Sequence, residues 1–152
     1  MPSVVPWLLA AALAACVLGG LAWWAAGDGP LIDPTDAASV ARGEGLYREH
    51  CASCHGADLA GQPNWRVRGP DGKLPAPPHD TSGHTWHHPD AMLFGMVKEG
   101  FQSGRYAPPG YRSDMPGYGD RLTDEEIVAV LAYIKSTWPE AQRAHQAALS
   151  RP

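Results

Sequence analysis

The sequence predicts an all-α fold: a small domain of short helices joined by long loops, preceded by one apolar N-terminal segment. Three observations predict it. Apolar residues recur at helical spacing in stretches near 35–51, 89–99 and 123–138. No run alternates as a strand would for more than a few residues, and no internal repeat is present. The chain holds 17 glycines and 15 prolines in 152 residues, a composition of turns and loops.

The N-terminal segment, residues 1–27, carries no charged side chain. From Trp7 to Ala26 it reads WLLAAALAACVLGGLAWWAA, long enough for a helix to cross a bilayer. Trp23 and Trp24 lie at its far end, where amphipathic rings suit a membrane interface. A cleaved signal usually has a basic start and a shorter apolar core. Leu13-Ala14-Ala15-Cys16 resembles a lipoprotein cleavage box, but the apolar run continues well past Cys16. An uncleaved transmembrane anchor is the favoured reading, with a cleaved signal or a chain lipidated at Cys16 as the alternatives. Each of these exports the remainder.

Residues 28–34 read as a linker, and 35–139 as the domain. Its first helix is expected near Asp33 or Thr35, with Pro34 at an early helical position. Val40, Gly43, Tyr47 and Cys51 share one face. Gly43 and Gly45 should each cost about 1 kcal/mol in a helix interior, which makes sense where another helix crosses closely. The last helix, 123–138, supplies it. Thr123 and Glu126 form a capping box, Asp124 and Glu125 add negative charge to the first turn, and Ile127, Val130, Leu131 and Ile134 form a stripe beside Tyr133. Pro139 follows. A third helix spans 89–99 and ends at Gly100, with Met92, Leu93, Phe94, Met96 and Val97 as its apolar residues. The tail, 140–152, is Ala-rich, helical or frayed, and carries no evident chemistry.

A net charge of −4 gives no basic footprint for nucleic acid. Three cysteines make no disulfide framework. Two of them stand in REHCASCHGADLAG as Cys51-x-x-Cys54-His55. In that pattern two thiols add across the vinyl groups of a haem and the histidine becomes an axial iron ligand. A zinc site would need further ligands at fixed spacing, and a thioredoxin-like redox pair a βαβ context. A bound porphyrin would also serve as core for a loop-rich domain and give the long loop from Gly56 to His88 something to wrap. For the iron's other face, Met92 and Met96 lie on a periodic helix and read as core. Met115 sits on a turn-rich loop just before the last helix, stiffened by Pro116. His79, His84, His87 and His88 crowd one loop without a regular ligand spacing. They read as propionate cover with Trp86, or as plain surface, in preference to a second metal site.

Over residues 35–138 the chain resembles the class I cytochromes c. The resemblance rests on Gly43 and Tyr47 before Cys51-Ala-Ser-Cys54-His55, on Met115-Pro116, and on Val130 and Tyr133 in the final helix. It implies one covalent haem c, with His55 and Met115 as axial ligands. It implies that Gly43 and Tyr47 pack against Val130 and Tyr133. It also implies a proline turn at Gln62-Pro63-Asn64, whose Pro63 carbonyl accepts the second ring N–H of the axial histidine. Gly43, Tyr47, Pro63, Trp86 and Tyr133 are the expected haem-pocket supports. The implied function is transfer of single electrons without a small-molecule substrate and without enzymatic chemistry. Expected partners are a quinol–cytochrome c reductase, a terminal oxidase or a periplasmic dehydrogenase. The expected place is the periplasmic face of the inner membrane. A cytochrome subunit built into a larger oxidase or dehydrogenase is the alternative. An open-site gas binder or peroxidase is a more distant one, against which Met115-Pro116 stands.

Overall fold

The computed structural model describes residues 32–151. Among them are five α-helices: α1 (Ala37–His50), α2 (Ala52–His55), α3 (Asp90–Glu99), α4 (Asp124–Ser136) and α5 (Glu140–Leu149). A 3-10 turn, Thr85–His87, precedes α3, and no strand occurs among the described residues. The predicted anchor and the linker as far as residue 31 lie outside the described residues. No described helix is long and apolar enough to cross a membrane.

The first helix starts later than the sequence suggests. Asp36 is its cap, accepting from Ala38 N at 3.1 Å and Ser39 N at 3.4 Å. Asp33 instead closes its own turn, accepting from Thr35 N at 2.8 Å and from the Thr35 hydroxyl at 2.7 Å. That local bonding competes with helix formation and leaves Pro34 outside.

Helix α4 begins where predicted. The Thr123 hydroxyl accepts from Glu126 N at 3.3 Å, and the Glu126 carboxylate accepts from Thr123 N at 2.9 Å. The helix ends at Ser136, two residues before Trp138, which is nearly fully buried.

Helices α1 and α4 cross so closely that a Cβ on Gly43 would lie 1.9 Å from the Ala129 carbonyl oxygen. Beside the crossing, the Tyr47 and Tyr133 rings meet at 5.4 Å. Tyr47, Ile127, Val130, Leu131, Ile134 and Trp138 form the core with Leu93 and Phe94 of α3. Met96 packs against this cluster, whereas Met92, expected in the core, is only half-buried and stays outside it. Gly45 has open space where a side chain would be. The two glycines should therefore respond oppositely to alanine. Gly43→Ala pushes a methyl group into backbone and should cost about 1–3 kcal/mol. Gly45→Ala should stabilise by about 1 kcal/mol. Denaturant midpoints of the two variants check both signs.

The tail is part of the domain. Gln146 of α5 is fully buried, and its Nε2 donates to Asp90 Oδ1 at 2.7 Å and to the His88 carbonyl at 3.1 Å. Lys135 Nζ donates to the other face of this cluster, reaching Asp90 Oδ1 at 2.7 Å and the Ile32 carbonyl at 2.7 Å. Ile32 N donates to Asp90 Oδ2 at 2.9 Å. One buried carboxylate thus joins the chain's entry, α3, α4 and α5.

Candidate functional site

Cys51, Cys54 and His55 follow directly from α1. Cys51 caps α2, and His55 ends it. Their placement depends on α1 being fixed, which the Gly43 crossing and the buried Tyr47 achieve. The Tyr47 hydroxyl donates to the Gly56 carbonyl at 2.9 Å, tying the helix face to the residue after His55. Both cysteines are free thiols, Cys51 half-buried and Cys54 exposed. They are not paired as a disulfide. Burial, with the Cys54 thiol next to it, pushes the Cys51 thiol up to about 11.

His55 is buried, and its Nδ1 lies 2.9 Å from the Pro77 carbonyl oxygen. A carbonyl only accepts, so Nδ1 carries the proton and Nε2 carries the lone pair. Burial lowers the histidine's pKa, with the Pro77 bond opposing, so the neutral, ligating form is favoured at neutral pH.

This corrects the expectation for Pro63. Pro63 is exposed, and the residue after it, Asn64, adopts φ 56° in an outlying turn. The carbonyl that meets His55 comes from the proline pair Pro77-Pro78, further along the loop. Gln62 N donates to the Ala76 carbonyl at 2.9 Å, and Ala76 N donates to Gln62 Oε1 at 2.8 Å. At φ 69°, Gly61 runs so close to Pro77-Pro78 that a Cβ would lie 2.5 Å from Pro78 N. A side chain there would drive the Pro77 carbonyl away from His55.

His79 follows that proline pair. Its ring stacks on His55, centroids 4.1 Å apart and planes 23° apart. Burial, then the nearby His55 and His84, keep its pKa well below the usual histidine value. The other loop histidines gather elsewhere. His84 stacks on Trp65 at 5.5 Å, while His87 lies against Trp86 at 3.7 Å and faces His145 of α5 at 5.5 Å. Among the described residues no group of three or more His, Cys, Asp or Glu side chains converges to hold a metal ion.

Met115 is half-buried on the segment leading back to α4. That segment is fastened to the end of α3: Tyr118 N donates to Val97 O and Gly119 N to Lys98 O, both at 3.0 Å. The Tyr118 hydroxyl donates to the His50 carbonyl at 2.8 Å, linking the methionine loop to the residue before Cys51. The preceding loop joins it through Leu74 N to Arg112 O at 3.0 Å and a Lys73–Asp114 ion pair.

The residues fit a covalently bound haem. Two unpaired thiols flank one turn of helix that ends in an imidazole whose free lone pair sits on Nε2. Trp86 Nε1 is a buried donor with no protein partner, as expected of a group that donates to a carboxylate outside the protein. The expected packing of Gly43 and Tyr47 against Tyr133 is present. The sequence reading did not single out Pro77 or Tyr118, and it read His79 as propionate cover or surface where the structure stacks it on His55. Only the adjacent prolines at 77 and 78 offered a signal, and nothing local ranked them above Pro63.

No curated protein and no solved structure matches the chain. The family model described as cytochrome c matches residues 40–138, from within α1 past the end of α4, with both thiols, His55 and Met115 inside the match. The chain belongs to the cytochrome c family.

Proposed function

We propose that the chain is a membrane-tethered, monohaem carrier of single electrons, with the thiols of Cys51 and Cys54 bonded to haem c and His55 and Met115 as axial ligands. Family membership makes haem-based electron transfer the chemistry of this domain, and haem c in that family is held covalently. The haem, when bound, supplies the one-electron couple. One observation carries the finer reading: the Pro77 carbonyl fixes the proton on Nδ1 of His55, leaving Nε2 to ligate, directly after the free thiol of Cys54 and one turn after that of Cys51.

The chain's own residues hold and shield that ligand set. Pro77 orients His55 and raises its donor strength. The fastening of Tyr118 and Gly119 to α3 gives the Met115 loop a fixed base. A thioether ligand from Met115 would favour ferrous iron and a high potential. Trp86 supplies a donor for a propionate. The apolar segment 1–27 supports an inner-membrane anchor with the domain on the periplasmic side. Redox proteins such as a quinol–cytochrome c reductase, a terminal oxidase or a periplasmic dehydrogenase are the partners that suit this placement.

The test is carbon monoxide. With both faces of the iron ligated, the ferrous wild-type protein should bind it slowly and incompletely at neutral pH. The ferric protein should show the weak near-infrared band of sulfur-to-iron charge transfer. Met115→Ala should remove that band, open the iron to carbon monoxide and lower the potential. Fast, complete binding by the wild type would replace the carrier with an open-site haem protein.

A further inference from the structure

We propose that His79 is a positioning residue that sets the plane of the His55 imidazole; the inference rests on the reading of His55 as an iron ligand. The Pro77 hydrogen bond fixes where Nδ1 points. It does not fix the roll of the ring about that line. A second flat ring at stacking distance does, and His79 provides one at 4.1 Å and 23°.

His79 is itself held from three sides. Its Nδ1 shares a hydrogen bond with the Thr85 hydroxyl at 2.9 Å. Its backbone N–H donates to the Leu59 carbonyl at 2.8 Å. Its carbonyl accepts from Trp138 Nε1 at 2.7 Å. Trp138 is among the most deeply buried side chains of the protein, and the buried Tyr47 ring stands edge-on to His79 at 6.3 Å. The stack is therefore anchored to the α1–α4 core and to the 3-10 turn, not to a free loop.

The residue type matters. A leucine could be buried here without a polar group to satisfy, and it would pack against His55 without defining a plane. The imidazole needs Thr85 to satisfy its nitrogen, and in return it presents a planar face. The ligand plane governs which iron d orbitals mix with the imidazole π system, so it is legible in magnetic spectra of the ferric protein.

The experiment uses the full chain with haem attached. Electron paramagnetic resonance g-values, the spread of haem-methyl proton shifts and the midpoint potential are recorded for wild type, His79→Leu, His79→Phe and Thr85→Val. His79→Leu should keep the haem but shift the g-values and reorder the methyl shifts. His79→Phe, which retains a flat ring, should stay close to wild type. Thr85→Val, which frees the His79 ring, should shift the same signals in the direction of His79→Leu. The proposal is overturned if His79→Leu and Thr85→Val move only the denaturation midpoint and leave the spectra unchanged. It is also overturned if His79→Phe departs as far as His79→Leu. Should His79→Leu fail to fold, the contrast between His79→Phe and Thr85→Val decides in the same way. The wild-type ferric spectrum is read first: a spectrum without imidazole ligation sinks the ligand assignment itself, an outcome distinct from wild-type ligation with unresponsive variants.

Discussion

Replacing Cys51 and Cys54 together by alanine is expected to remove all covalently held haem. After denaturing electrophoresis the wild-type chain, made alongside a haem-attachment system, should retain haem-dependent peroxidase staining, and the double variant should show none. Each single variant should retain one thioether and stain. The geometry behind this is local: the two thiols are separated by one turn of α2, neither is consumed by a disulfide, and one is exposed. The loss should spread beyond staining. The loop from Gly56 to His88 has few regular elements and one short 3-10 turn, so it depends on something to wrap. Without the porphyrin the far-ultraviolet helical signal of the double variant should fall and its unfolding transition should broaden. A colourless wild-type chain made under the same conditions would overturn the haem assignment outright.

The second large effect lies on the opposite side of the chemistry. Lys135→Ala should destabilise the haem-loaded protein by about 3–5 kcal/mol, because it leaves Asp90 as a buried carboxylate without its cation. Lys135 and Asp90 are only 4 % and 3 % exposed, so solvent cannot take over. The hydrogen bonds from Ile32 N and Gln146 Nε2 would remain, but they do not neutralise the charge. A double variant, Lys135→Met with Asp90→Asn, removes both charges and should recover most of the loss. Urea midpoints followed at the haem absorption band check the pair. Equal destabilisation of the single and double variants would show that lost packing, rather than the stranded carboxylate, dominates.

Where a signal is local in sequence it was legible. The capping box at Thr123 and Glu126 and the break at Gly100 are short-range patterns, and each stands where it was read. The crossing at Gly43 was legible for another reason: a glycine inside a helix is costly, and a cost calls for a neighbour. What escaped was set by contacts between distant residues. Pro77 meets His55 across 22 residues and Gln146 meets Asp90 across 56; no periodicity announces either. Pro63 and Pro77 are both loop prolines, and the pairing of Gln62 with Ala76 and the close approach of Gly61 bring the later one to the histidine. The start of α1 escaped because Asp33 bonds to Thr35 in a local turn, which leaves the capping to Asp36. Among the four loop histidines, the fold turns His79 against His55, while His84 stacks on Trp65 and meets His88, and His87 lies against Trp86.

The clasp at Ile32 would have a mechanical consequence for the domain if it is tethered as proposed. Ile32 is bonded through its N–H to Asp90 and through its carbonyl to Lys135, so residues from 32 onward move with the domain and contribute no slack. Were residues 1–27 an anchor, as proposed, residues 28–31 would be the leash, with a reach of at most about 14 Å at roughly 3.5 Å per residue. Such a leash would hold the domain close to the bilayer surface. Electrons would then leave to a partner that comes to the domain or stands permanently beside it. Lengthening the leash by inserting flexible residues after Gly29 should widen the set of membrane partners it can serve.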